Sequence, residues 1–196
     1  MKKGLITIAV IAVIAVALYG WVKGTYNGLV KGEEGVEAAW AQVENVYQRR
    51  ADLIPNLVAT VKGYAAHESE TLQAVIDARA KATGITVDAS NLSEEALAKF
   101  QSAQGELTQA LGRLIAVSES YPDLKANQNF LELQSQLEGT ENRISTERKK
   151  FNETAQNYNT DLRSFPKNII AGLFNFEKKG YFKAAEGAET APKVEF

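Results

Sequence analysis

Two stretches of this chain repeat apolar residues every seven positions for longer than any compact fold other than packed long helices can use. With a heptad counted from Tyr26, position a falls on Tyr26, Glu33, Trp40, Tyr47, Ile54 and Val61. Position d then falls on Leu29, Val36, Val43, Arg50, Leu57 and Tyr64. The second stretch places Phe130, Leu137, Ile144, Phe151, Tyr158 and Phe165 at the same spacing. A sustained seven-residue seam marks a helix packed lengthwise on others. Strand-type alternation is absent, and glycine and proline are sparse between residues 36 and 165. The fold class expected is all-α: a single-pass transmembrane helix followed by an elongated antiparallel bundle of four helices, two long and two shorter.

The amino-terminal end supplies the anchor. After Lys2 and Lys3 comes an unbroken apolar run containing Leu5, Ile6, Ile8, Val10, Ile11, Val13, Ile14, Val16 and Leu18. Tyr19, Trp21 and Val22 lie near its far end, and Lys23 closes it. At 1.5 Å per residue, Leu5 to Val22 spans roughly 27 Å, close to a bilayer's hydrocarbon thickness. The aromatic pair sits where an interfacial belt belongs. Ala15-Val16-Ala17 also fits a signal-peptide cleavage pattern, but the run continues past it, so a retained anchor over residues 1–24 is expected. Lys2, Lys3 and the amino terminus stand against Lys23 and Lys31, a balance that tips the domain to the outer side.

The domain expected next covers residues 25–165. The first long helix reaches Tyr64, with a kink near Ile54 where Pro55 removes a backbone donor. Gly28, Gly32 and Gly35 read either as a loosened joint beyond the membrane or as surface glycines without a hinge role. A second helix runs from about His67 to Thr83, ending at Gly84, and a loop over Ile85 to Asn91 follows. Ser93 caps a third helix extending to Tyr121. Pro122 opens a fourth that runs to about Ser164. Polar residues flank its seam, among them Thr140, Glu141, Glu147, Arg148, Thr154 and Asp161, with Asn152, Asn157 and Asn159. A buried charge needs a partner, so those that face inward are expected to answer Arg50 and Glu33, and Arg50 with Glu141 is the pair to seek.

Residues 166–183 form an amphipathic segment. Ile169, Ile170, Leu173, Phe174, Phe176, Tyr181 and Phe182 crowd it, interspersed with lysines. Two uses fit: a plug folded back on one end of the bundle, which is preferred, or a contact with membrane or partner. Residues 184–196 read as a mobile tail whose final Val194-Glu195-Phe196 suits a carboxylate-capturing groove.

Enzymatic constellations are missing from the sequence. It has one histidine, His67, without the second that a zincin helix requires, and it has no cysteine. No catalytic residue, metal or cofactor is therefore expected, and the paired carboxylates Glu68 with Glu70 and Glu94 with Glu95 read as first-turn helix charges. The net charge of -2 comes without a basic cluster, which excludes nucleic acid as the expected partner.

One segment carries a family resemblance. Arg49-Arg50-x-Asp52-Leu53-Ile54-Pro55-Asn56-Leu57-Val58, followed by Val61-Lys62-Gly63-Tyr64 and His67-Glu68, resembles the signature of the LemA family of bacterial membrane proteins. Glu119-Ser120-Tyr121-Pro122-Asp123-Leu124-Lys125-Ala126-Asn127, Thr140-Glu141-Asn142-Arg143-Ile144 and Tyr158-Asn159 with Phe165-Pro166 agree with it. The resemblance implies a helical domain on the bacterial inner membrane. It also implies an envelope quality-control partner such as a membrane metalloprotease, and, because magnetosome proteins share the domain, assembly on curved membranes. The function expected is a scaffold that meets protein partners and copies of itself. The alternative is a sensor binding a small anion near the Pro55 kink, with Arg50 as its cation.

Overall fold

The computed structural model describes residues 2–184, and all its regular structure is helical. The side chains of Lys2 and Lys3 and the tail ending Val194-Glu195-Phe196 lie outside the described residues. Six α-helices follow in order: α1 Lys2–Tyr64, α2 Ser69–Gly84, α3 Glu94–Val117, α4 Pro122–Lys125, α5 Gln128–Arg163 and α6 Lys167–Leu173. A 3-10 turn, Ser118–Ser120, precedes α4.

The apolar run and the first seam form one uninterrupted helix of 63 residues. Pro55 lies inside it without ending it. A proline at this position leaves the carbonyl four residues earlier without its helical donor. That carbonyl, Ala51 O, accepts instead from Arg79 Nε of α2 at 2.8 Å. The bond from a neighbouring helix lets α1 continue through a residue expected to bend it.

Side chains meeting between α1 and α5 fix their direction. Tyr64 meets Asn127, Arg50 meets Glu141, and Trp40 meets Phe151. One number rises as the other falls, so the two long helices are antiparallel. They approach closely at Gly32, where an added Cβ would stand 3.0 Å from the Tyr158 ring. Neither a hinge nor an idle surface position describes this glycine, since its missing side chain lets α5 sit down on α1. α2 turns back from the end of α1, and α3 reverses again, with Lys81 to Glu106 at 2.7 Å between them.

Several boundaries differ from the sequence reading. α3 stops at Val117, after which Ser118 Oγ donates to Ile115 O at 2.6 Å. The helix opened by Pro122 ends at Lys125, and α5 starts afresh because Asn127 has an extended backbone and its side chain accepts from Phe130 N at 3.0 Å. α2 begins at Ser69, two residues beyond His67. Phe165 lies past the end of α5 and is 82% exposed, so the seven-residue repeat stops at Tyr158 and Leu162 is the last buried residue of α5.

The core is two apolar clusters. One holds Leu29, Val36, Trp40, Val43, Tyr47, Phe100, Ile144 and Phe151, and the other holds Ile54, Leu57, Val61, Leu107, Leu114, Phe130 and Leu137. Arg50, Gln104, Thr108 and Glu141 separate them as a polar layer.

Candidate functional site

The polar layer is built around one cation. Arg50 occupies a seam position and is 1% exposed. Its Nη1 donates to Glu141 Oε1 at 2.6 Å and to Thr108 Oγ1 at 2.8 Å, and its Nη2 donates to Gln104 Oε1. The expected pair of Arg50 and Glu141 thus meets directly. Gln104 in turn donates to Ala82 O at 3.3 Å, linking α2 to the layer. Glu141 is 40% exposed, so its far edge is open to water. Beside it lies a recess of about 730 Å³ whose lining includes Arg50, Gln101, Thr108, Glu141, Arg148 and Lys183. Burial raises the Tyr47 phenol above its ordinary value, against the opposing charges of Arg148 and Arg50.

The other motif residues divide by face. Ile54 and Leu57 point into the core beside Arg50, and Leu53 is half-buried. Arg49, Asp52, Pro55 and Asn56 of α1 are exposed, as are Asn142 and Arg143 of α5. Tyr121 donates to Glu68 Oε1 at 3.0 Å, and Pro122 opens α4, so these two secure the end of the body where α1 turns into α2.

At the opposite end the carboxy-terminal segment splits into two parts. Ile170, Ala171 and Phe182 are buried, and Phe176 and Tyr181 pack against the same cluster, as expected of a plug. Phe182 is caged by Trp40, Phe100 and Phe151 at ring distances of 6.0, 6.5 and 5.5 Å, with the Arg148 guanidinium 4.6 Å from its ring. Ile169, Leu173 and Phe174 do not join them and remain exposed.

Residues 179–183 cross the body as an extended strap held by three amide side chains. Asn159 accepts from Lys179 N at 3.0 Å and donates to Lys179 O at 2.8 Å. Asn152 does the same for Phe182, at 2.9 Å in both directions. Gln101 repeats it for Lys183, at 3.2 and 2.9 Å. Each amide imitates the exchange that a neighbouring strand makes in a sheet. Gly180 donates to Leu92 O at 2.7 Å, and a Cβ there would stand 2.8 Å from Glu94 N. The strap therefore lies against the start of α3.

Glu33, the other charge in the seam, finds its partner in this strap rather than on α5. Lys179 Nζ, 4% exposed as a residue, donates to Glu33 Oε1 at 2.7 Å and to Ser90 O at 3.0 Å. Nothing in the local sequence marks Lys179 or Gln101 as a contact. Asn152 and Asn159 were visible as polar flanks of a seam, but nothing local shows that a distant segment is their partner.

The first third of α1 is bare. From Leu5 to Tyr19 its large apolar side chains are 52–72% exposed. This is the one helix among the described residues that is long and apolar enough to cross a membrane. Val22 already packs against the core, so the apolar run enters the body without a linker. Among the described residues no group of three His, Cys, Asp or Glu side chains is placed to hold a metal ion.

Magnetosome protein MamQ 2 of Paramagnetospirillum magneticum is 27% identical over 202 aligned positions, covering 93% of this chain and 72% of the relative. Protein LemA of Metamycoplasma hominis is 24% identical over 163 positions, covering 83% of this chain and 71% of the relative. The model of the LemA family matches residues 39–196, which takes in the Arg50 layer, the amide-held strap and all of α5. The chain belongs to the LemA family.

Proposed function

We propose that this protein is a non-enzymatic scaffold of the bacterial inner membrane, an antiparallel four-helix bundle presented to protein partners on a rigid stem. The observation that carries this reading is the continuity of α1, one helix from the bare apolar run to the far end of the body. A helix with no joint transmits the anchor's position to the whole surface. The polar layer supports a presenting role by fixing the register of the long helices, since a buried polar group tolerates only the pairing that satisfies it.

The partner surface is the outward half of the signature: Arg49, Asp52 and Asn56 on α1, with Asn142 and Arg143 across on α5. These side chains contribute little to the core, which leaves them free to be read by another protein. That partner is a second copy of this chain or a membrane metalloprotease. Relatives named as magnetosome proteins accord with the assembly on membranes that the family resemblance implies. The ligand-sensor alternative rests on Arg50, whose charge is already answered by Glu141, so the scaffold is preferred.

Photocrosslinking of the full chain in its own membrane tests the proposal. Probes at Arg49, Asp52 and Asn142 are expected to capture one protein species, either this chain or one foreign membrane protein, identified by mass spectrometry. Probes at these positions that capture nothing above a probe on the exposed side of α2 overturn it.

A further inference from the structure

Outside the anchor, exposed large apolar side chains are scattered over the body with one exception. Phe165, Ile169, Leu173 and Phe174 fall within ten residues and are 82, 56, 70 and 47% exposed. Ile169 and Leu173 are spaced four apart on the outer side of α6, and Phe165 lies in the turn just before it. The inner side of α6 is already used, because Ile170 and Ala171 are buried in the core. The chain makes this geometry deliberate at the exit from α6. Asn175 adopts a left-handed backbone with φ of 56°, and Phe176 N returns to Ala171 O at 3.0 Å, closing the helix and sending the strap back over the body.

The height of this patch along α1 is fixed by contacts. The Tyr26 ring lies 4.8 Å from Phe174 and 5.6 Å from Phe176. Asp161 and Lys167 share a cleft with Gly20, Trp21, Gly24 and Gly28. Tyr26 is four residues beyond Val22, or about 6 Å along the helix. Headgroup layers add about 5–8 Å to each side of a hydrocarbon core. An α1 that spans the bilayer therefore carries α6 into the headgroup layer without any adjustment. Lys23 and Arg163 are exposed at the same level, where phosphate groups would meet them.

We infer that α6 is a foot: its outer face, Phe165, Ile169, Leu173 and Phe174, is seated in the interfacial layer of the same bilayer that α1 crosses. The inference rests on the membrane reading proposed above. Through Phe174 on Tyr26 the surface adjoins the end of the apolar run of α1, and its occupant is lipid. Burying such side chains in the acyl boundary supplies the apolar contact that the body denies them.

The chain has no cysteine, so single cysteines can be placed and labelled in the full-length protein. Leu173→Cys, Val13→Cys and Asn56→Cys, each carrying an environment-sensitive fluorophore, are reconstituted into phospholipid vesicles with quenchers attached either near the headgroup or deep in the acyl chain. Circular dichroism checks that each labelled variant is folded, and the exposure of Leu173 makes that substitution tolerable. The foot predicts that the Leu173 probe is quenched several-fold more by the shallow quencher than the Asn56 probe, while Val13 responds to the deep one. A Leu173 probe as unquenched as Asn56, with Val13 still quenched, overturns the foot and leaves the anchor standing. A blue-shifted Leu173 probe that neither lipid quenches means that protein, such as a second copy, covers the patch, and this also overturns the foot. An unquenched Val13 overturns the membrane reading itself and the foot with it.

Discussion

Pro55 and Arg79 act as one unit although 24 positions of chain separate them. Removing Arg79 leaves Ala51 O without a donor, which costs about 1–3 kcal/mol. In a Pro55→Ala background the new amide at position 55 supplies the helical donor, so the same Arg79→Ala change is expected to cost markedly less. Chemical denaturation of the four members of this cycle in detergent measures the coupling, and equal costs in both backgrounds would refute it. Arg50 and Glu141 make a second contrast. Arg50→Ala strips the layer of its buried centre and is expected to cost about 3–5 kcal/mol. Glu141→Gln keeps an acceptor at the open edge and is expected to cost nearer ~1 kcal/mol, and the reverse order would show that the layer is not organised around the arginine. Tyr158 adds a pH signature. Burial first, then the charge of Glu33, holds its phenol well above the ordinary value of 10.0. Above pH 10 the unfolded chain releases that proton before the folded one does. Tyr158's contribution to stability is thus complete below pH 10 and lost as pH rises through the raised folded value. Tyr158→Phe should flatten the alkaline fall in the denaturation midpoint, and an unchanged slope would count against a protonated, buried phenol.

At the scale of elements, what the sequence announced was whatever repeats locally. The seams of α1 and α5 were readable because a period of seven requires only neighbours on one helix, and the Arg50–Glu141 pair followed because both are charges at or beside a seam. The stripe misled at Phe165 because apolar spacing in the sequence does not end where helical backbone does. Asn127 is a helix start that Pro122 hides in the sequence, since the proline signals one five residues earlier, and the structure uses both. The strap was illegible for a different reason: its bonds join amide side chains to backbone across separations of 20, 30 and 82 residues. No spacing rule connects an asparagine on a helix to a peptide group that far away. The strap nonetheless makes a clear expectation. Asn152 is the side-chain partner that both backbone groups of Phe182 use, so Asn152→Ala should release the Phe182 amide to solvent. Hydrogen exchange should then accelerate at residue 182 and its neighbours while the α2 amides stay as they were. Unchanged protection at 182 would mean that the aromatic cage alone holds the segment.

For the whole molecule the decisive quantity is how far the body stands from its membrane. From Lys23 to Tyr64 the continuous helix covers about 60 Å, and α5 lies antiparallel beside most of that length. α2 and α3 pack mainly against the far half of α1 and against each other, while the strap and α6 close the near half. On the proposed reading the near end is held at two places, by α1 crossing the bilayer and by α6 beside it, so a rigid body so seated has only a narrow choice of tilts. A single anchor alone would let it lean in any direction. Neutron reflectometry on a supported bilayer carrying the full chain distinguishes these cases. An upright body gives a protein layer of about 60 Å, whereas a body lying on the surface gives little more than two packed helices, about 20 Å. The upright layer is expected for the native chain. Replacing Ile169, Leu173 and Phe174 with serine leaves Ile170 and Phe182 in the core, and it should thin or blur the layer without unfolding the body. A native layer of about 20 Å would remove the stem from the proposed function. An upright layer untouched by the serine substitutions would show instead that α1 sets the tilt without help from α6.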